Sequence, residues 1–467
     1  MTQARHLLVV GQGAAGLAAA IAAAEAALAA GAAIRITLID KAGADEAGAN
    51  TRWSPANMRM ASPDRVEANF VRDMLDATGS RGEERYFVRL AAEAPATVRW
   101  LAACGIEFNQ PTYYLAKGPP RIAPVGGGPA IIMALTRKAK EFGVDFLYGC
   151  AAQDIVCQNG GVAGLTVEQD GARRTLEADA IVLACGGFQG NAAMMRQHFG
   201  ERAATMRLIS PGTGHATGDG IRIAMALGAD LSGDWNGMHA EPVDARARNS
   251  ASVVLVYPYG IVVDRTGRRF FDEGGGLMHE TWEWLARAIH FEMPDAIAYA
   301  ILDSRLYDIA DYRRAIRSDV PPIKADTLAA LAEQAGIDAK DLAATVAAYN
   351  DACIGDPGTF DATRLDGLAA APTLKPPKSN WARAISVPPF LAYPLVGAVA
   401  YTFGGLATDN CARVLRGGTP IPGLYAAGEI TGHFYATAPN SVAVLRALVF
   451  GRIAGRGAAL RLEAKTG

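Results

Sequence analysis

The sequence predicts a doubly wound α/β domain, closed from both ends of the chain around an inserted α+β domain. Three observations predict it. A glycine-punctuated strand–turn–helix–strand unit fills residues 7–40; the character of the chain changes between about 236 and 378; glycine-punctuated strands return after that. The expected division is therefore 1–235, 236–378 and 379–467, with the first and third segments forming one domain and the middle segment capping it.

The opening unit carries most of the information. The apolar run Leu7-Leu8-Val9-Val10 ends in Gly11-Gln12-Gly13-Ala14-Ala15-Gly16, an alanine-rich helical pattern runs from Ala14 to Ala30, and a second apolar run, Ile34 to Ile39, ends at Asp40. Gly11 permits the tight turn, Gly13 lets backbone approach a pyrophosphate, and Gly16 lets the helix pack close to the strand. The helix N-terminus offers N–H groups and its positive dipole end to phosphates. Asp40, 24 residues past Gly16, is placed to accept hydrogen bonds from a ribose diol. The motif itself does not choose between NAD and FAD.

The later elements follow in order. Small polar residues in Gly48-Ala49-Asn50-Thr51-Arg52 suit a loop wrapping the far side of a cofactor. Residues 64–104 read as solvated helices, Gly126-Gly127-Gly128 as a flexible turn, Ala130–Phe142 as a helix and 146–152 as a strand. A β-ribbon is expected over 161–184, and the buried strand ending at Ala184-Cys185-Gly186-Gly187 again places glycine beside a ligand. Thr217-Gly218-Asp219-Gly220 opens a helix. Beyond 235 come the strand Gly260–Asp264, the run Phe270-Phe271-Asp272-Glu273, and helices broken by Pro-containing loops as far as Lys375-Pro376-Pro377-Lys378-Ser379-Asn380-Trp381. The chain returns through Phe403-Gly404-Gly405-Leu406 and Pro422-Gly423-Leu424-Tyr425-Ala426-Ala427-Gly428-Glu429 to a final helix from about Val442 to Arg456.

Composition narrows the function. Half the residues are hydrophobic and 20% are charged, with a formal net charge of −2. That balance provides no electrostatic footprint for nucleic acid. No apolar run is long enough to span a membrane, and no basic-then-apolar leader precedes Leu7, so a cytoplasmic protein is expected. Six scattered cysteines form no C-x-x-C pair, so no zinc or iron–sulfur site is expected within the chain.

Taken in order and at these spacings, the quoted motifs resemble the flavoproteins of the fumarate reductase and succinate dehydrogenase type, over nearly the whole chain. Lys378-Ser379-Asn380-Trp381 and Phe434-Tyr435 are most similar to the tricarballylate dehydrogenase branch, which oxidises tricarballylate to cis-aconitate. The resemblance implies a Rossmann-like FAD domain with an inserted cap, and FAD rather than NAD. It implies FAD contacts from Gly11, Gly13, Ala15, Gly16, Asp40, Lys41, Asn50, Thr51, Arg52, Ala152, Ala184, Gly186, Asp219, Gly428, Glu429, Ser441, Val444 and Leu445. No histidine lies in the 50–52 loop, so the flavin is expected to be non-covalent.

The same resemblance implies a small polycarboxylate substrate under the cap, with His239 as its binding histidine. Two arginines of the fumarate reductases are missing: Asp272-Glu273 is followed by glycines and His279, and Tyr435–Asn440 has none. A family histidine is replaced by Tyr401. His239, Tyr401, His279 and Arg52 are therefore the expected catalytic set, with His433, Tyr435, Asn440 and Lys378 as further candidates; Arg446 reads equally as a salt-bridge residue. The expected reaction is dehydrogenation of a CH–CH bond beside a carboxylate, with hydride passing to flavin N5 and then to a separate iron–sulfur or quinone-linked acceptor. The alternatives are a 3-ketosteroid-type desaturase, a fumarate-reductase-like enoate reductase, and a flavin electron-transfer subunit with no substrate of its own.

Overall fold

The computed structural model describes residues 5–111, 114–115 and 118–464. In chain order, the elements that position the site are Arg5–Val10 (β1), Ala14–Ala29 (α1), Ile34–Ile39 (β2), Asp145–Leu147 (β3), Ala180–Leu183 (β4), Met238–Asp244 (β5), Ile261–Val263 (β6), Met278–Phe291 (α2), Ala298–Leu302 (β7), Phe390–Thr402 (β8), Arg413–Arg416 (β9), Thr419–Ala426 (β10) and Ala443–Ala464 (α3).

The first sheet runs β9-β10-β4-β1-β2-β3. β1 pairs in parallel with β2 on one side and β4 on the other, Leu7 opposite Ile36 and Ala180. Leu7, Leu8 and Val9 are completely buried, as expected of a central parallel strand covered on both faces. β10 joins through Leu424 opposite Ile181, so the sheet is built from residues 5–183 and 413–426.

α1 lies against this sheet and against α3. It is alanine-rich and buried on nearly every face, which suits the best helix former with the smallest side chain. Small residues let the two helices touch along their backbones. A Cβ on Gly451 would lie 2.3 Å from the Ala15 carbonyl oxygen, and one on Gly455 2.0 Å from that of Ala19.

The second sheet is centred on β8. That strand pairs antiparallel with β5, β7 and Ile323–Ala325, and parallel with Arg207–Leu208; β6 extends the sheet beyond β7. β8 lies within 379–467 in sequence, yet it is the hub of the sheet otherwise built mainly from 236–378. α2 packs closely over β8: a Cβ on Gly397 would lie 2.2 Å from the Ala286 carbonyl oxygen. β8 ends at Tyr401-Thr402, and Thr402 reaches the Gly187–Phe188 turn that follows β4 of the first sheet.

Several local expectations change. The 126–128 glycines are not a flexible turn. Gly126 caps the helix Gly127–Glu141, and a Cβ on Gly128 would lie 1.7 Å from the Thr51 carbonyl oxygen, so the helix start is pressed onto the 50–53 loop. The ribbon has three strands, Cys150–Gln158, Gly161–Gln169 and Ala172–Glu177. The final helix continues eight residues past Arg456, to Ala464, because Ala458, Ala459 and Leu462 keep an apolar face in the core.

Candidate active site

One long cleft begins at the C-terminal edge of the first sheet and ends against the second. Of the expected cofactor residues, Gly11, Gly13, Ala15, Asp40, Lys41, Asn50, Thr51, Ala152, Ala184, Gly186, Asp219, Gly428, Glu429, Ser441 and Val444 line it. Three do not. A Cβ on Gly16 would sit 1.9 Å from the Gly11 carbonyl oxygen, so this glycine serves the helix–strand contact. Leu445 is fully buried in the core on the inner face of α3. Arg52 turns its guanidinium back to the Ala47 carbonyl, 2.9 Å away.

The polar groups of the cleft are held in place. Asp40 accepts hydrogen bonds from the backbone N–H groups of Gln12 and Ala42, both at 2.8 Å. Lys41 Nζ lies 2.8 Å from Asp219 Oδ2, joining two walls. Asn50 donates to the Ala400 carbonyl at 2.6 Å and accepts from Ser210 and Thr213 at 2.9 and 3.0 Å; its amide fastens the 50–53 loop to β8. Thr51 Oγ1 accepts from the Ala14 N–H at 3.2 Å, capping the first turn of α1. Burial raises the Glu429 carboxyl to about 7, against opposing hydrogen bonds and the charge of Arg446.

An elongated dinucleotide fits this cleft. Gly11, with φ +103°, brings its backbone against Ala184, and Gly13, Ala14 and Ala15 put the α1 N-terminus on the cleft wall. At the other end Arg446 is 1% exposed, and its Nε is buried without a hydrogen-bond partner. Arg446 does not form the salt bridge that its helical position suggested. Its Nη1 donates to the Thr431 carbonyl at 3.2 Å, its guanidinium stacks on Phe434, and it lines the cleft.

The inner end is built on a β-bulge. Pairing of β5 with β8 shifts between His239 and Ala240, which sets His239 opposite Tyr401 with ring centroids 4.9 Å apart. The two imidazole nitrogens lie 2.8 Å from Glu283 Oε2 on α2 and 3.3 Å from Glu241 Oε1 on β5. Burial opposes charge on His239, but the two carboxylates reverse this and raise it to about 9. His239 is thus an imidazolium at neutral pH. Burial, then the charge of Glu283, raises the Tyr401 phenol.

A second cavity, about 570 Å³, meets the cleft at Trp282, Tyr401, Asn440 and Ser441. His279 lines it. Burial and the charges of Arg121 and Arg59 lower His279 to about 4, so it is neutral. Arg121 and Arg317 line the main cleft, their guanidinium groups 5.0 and 5.9 Å from the Tyr114 ring.

Other candidates lie elsewhere. Lys378 is 1% exposed inside the cap, donating to the Pro258 and Gly260 carbonyls at 2.6 and 2.7 Å, with Glu273 at 3.7 Å. Glu273 in turn pairs with Arg269 at 2.7 Å, so this part of the cap motif is an internal staple. His433 stacks on Tyr86 and bonds Thr408, and burial with the Arg446 charge lowers it to about 3. The Tyr435 hydroxyl lies 3.1 Å from the Gly233 N–H, away from both cavities.

Sequence reasoning missed Glu241, Glu283, Arg59, Arg121 and Arg317. Glu241 stands two residues from His239 on one strand, a same-face spacing that was available to be read. Glu283 follows His279 by one helical turn. The arginines sit in irregular segments with no period to betray them.

Among the described residues, no group of His, Cys, Asp and Glu is arranged to hold a metal ion, and no helix is long and apolar enough to cross a membrane. The chain matches the family model described as FAD binding domain over residues 6–441. It is 29% identical to a probable fumarate reductase of Shewanella frigidimarina, over 98% of this chain and 75% of that one. It is 30% identical to an NADH:acrylate oxidoreductase of Vibrio harveyi, over 79% of this chain but only 36% of that one. Its fold superimposes on the open conformation of a flavocytochrome c3 fumarate reductase with a TM-score of 0.78 and 27% identity, covering 99% of this chain and 79% of that one. The glycine turn on α1, the cleft it opens and this family match lead to one conclusion: the chain belongs to the FAD binding domain family and is an FAD-dependent oxidoreductase.

Proposed function

We propose that the chain interconverts a CH–CH and a C=C bond beside the carboxylate of a small acid. The observation that carries this reading is the pair Arg121 and Arg317, both packed on Tyr114 in the cleft that holds His239 and Tyr401. Two guanidinium groups lining one cleft suit a ligand that carries a carboxylate. They stand in for the two family arginines that the sequence lacks.

FAD, when bound, supplies the two-electron hydride chemistry. Gly11, Gly13 and the α1 N-terminus would hold its diphosphate, Asp40 its adenosine ribose and Glu429 its ribityl chain, and the α3 N-terminus would favour negative charge on the reduced flavin. With no histidine in the 50–52 loop, the attachment is non-covalent. Tyr401 is the proton-transferring group. Burial keeps its phenol protonated, so it is poised to give a proton to the carbon alpha to the carboxylate in the reductive direction, and must be relieved of it in the oxidative one. His239 keeps its own proton between two carboxylates and acts as a fixed cation beside the tyrosine, not as the base.

The finer sequence-level reading, oxidation of tricarballylate to cis-aconitate, is the polycarboxylate instance of this reaction. The electrons are exchanged with a separate redox protein; the V. harveyi relative, of which this chain spans about a third, is named for NADH as well as acrylate. All six cysteines are free thiols, which supports a reducing, cytoplasmic setting. Anaerobic mixing of the holoenzyme with tricarballylate and succinate, and of the photoreduced holoenzyme with fumarate and crotonate, tests the proposal. Bleaching or recovery of flavin absorbance by any of these acids supports it. No response to any of them, together with bleaching by a 3-ketosteroid, refutes it.

A further inference from the structure

The second cavity reaches Tyr401, and its described lining carries far more negative than positive charge. Its described lining carries the carboxylates of Glu67, Asp73, Asp76, Glu280 and Glu283. Against them stand the permanent cation Arg59, itself held between Asp73 and Glu67, and the charge of Arg121, which reaches His279 from the main cleft. His279 adds no charge at neutral pH. With a formal charge of only −2 on the whole chain, this is a local concentration of negative charge. A polyanion approaching by this route is repelled, and a group bearing positive charge is drawn in.

A second, independent observation lies at the inner end of the route. Glu283 is 4% exposed, and its Oε2 is engaged by His239. Its Oε1 is buried and has no hydrogen-bond partner. A buried carboxylate oxygen without a donor is costly. One imidazolium also leaves the set Glu241–His239–Glu283 with a surplus negative charge. The carboxylate-binding pole, Arg121 with Arg317, belongs to the same cleft as Glu241.

We propose that the ligand of this site is a small acid that also carries a protonated nitrogen, the carboxylate taken by Arg121 and Arg317 and the N–H⁺ group by Glu283 Oε1, with Glu241 contributing only its negative charge from the far side of His239. This rests on the reading of the site as one for a small carboxylate, and it narrows that reading from polycarboxylates to zwitterions. The nitrogen is a binding group only; it takes no part in bond making or breaking.

The test is binding to FAD-loaded protein, read from perturbation of the flavin absorption spectrum and from thermal stabilisation. The probes are trans-4-aminocrotonate, crotonate and fumarate, which share the enoate and differ in carrying an ammonium, a methyl group or a second carboxylate; tricarballylate is added as a polyanion. We expect the zwitterion to bind at least tenfold more tightly than the other three. That advantage is expected to fall to within about threefold in Glu283→Gln and to shrink in Glu241→Gln. FAD content and melting temperature confirm that each variant is folded, and either variant alone decides the point. Tighter binding of fumarate or tricarballylate than of aminocrotonate overturns the proposal, as does an undiminished preference in either folded variant. The two readings fail separately. Turnover of fumarate or tricarballylate with no zwitterion preference removes this inference and keeps the enoate chemistry. Tight zwitterion binding without flavin turnover by any acid keeps the inference and removes the chemistry.

Discussion

Replacing Glu429 by glutamine is expected to stabilise the cofactor-free protein, and to do so more at pH 8 than near pH 5. Glu429 lies beside Gln189, the Gly187 backbone and the Thr402 N–H, where burial raises its carboxyl from 4.5 to about 7. In that interval the folded chain holds a proton that the unfolded chain has released. Stability therefore falls as pH rises through the interval, by about 1.4 kcal/mol per pH unit, and the loss levels off above about 7 when the folded carboxyl also ionises. Over the whole interval this amounts to about 3 kcal/mol; water in the open cleft reduces it to roughly 1–2 kcal/mol. Glutamine keeps the shape and an acceptor oxygen for the Thr402 N–H and cannot ionise. Urea unfolding of apoprotein and variant at several pH values measures the difference. The gain should grow by roughly 1–2 kcal/mol between pH 5 and 8 and stay flat beyond. A gain independent of pH, or a wild type more stable than the variant at pH 8, refutes the reasoning.

Four further outcomes follow from the same geometry. Tyr401→Phe should lower kcat by about 10²–10³-fold with little change in KM or FAD content, as measured by steady-state kinetics. The His239 ring should titrate near 9 by NMR, and the stability it contributes should be complete below about 6.5 and lost as pH rises through about 9, because its folded value is raised. Lys378→Met should cost about 3 kcal/mol by leaving the Pro258 and Gly260 carbonyls and Glu273 short of a partner, while KM stays the same, as denaturation and kinetics together would register. Gly455→Ala should cost about 1–3 kcal/mol and lower the FAD retained on purification, because its Cβ meets the α1 backbone.

The first forty residues were legible because their message is local. A glycine turn, an alanine helix and a terminal acid each follow from backbone sterics within a few positions, and Asp40 does lie in the cleft with its oxygens aimed by Gln12 and Ala42. The inner site was less legible because its charges arrive from far apart. Arg59, Arg121 and Arg317 come from irregular segments whose meeting is a tertiary event. Lys378 drew attention as a cation in a distinctive motif, but a motif does not say which way a side chain turns, and this one turns into the cap. Gly126–Gly128 read as slack, whereas the absent side chains let a helix start press against the 50–53 loop. β8 shows the same limit: the sequence singled out no strand over 390–402, and only its pairing partners place it at the centre of the second sheet.

The contact between α1 and α3 has a consequence for how the molecule is made. α1 carries the diphosphate-binding turn at its start, and much of its outer surface is covered only by residues 443–464. A nascent chain therefore waits for the main partner of its most apolar helix while more than four hundred further residues are synthesised. The cofactor site cannot close until α3 leaves the ribosome, whereas the cap sheet has all its strands once residue 402 has emerged. Within this stretch assembly thus runs from the middle outward, and α1, translated ahead of the cap, is completed after it.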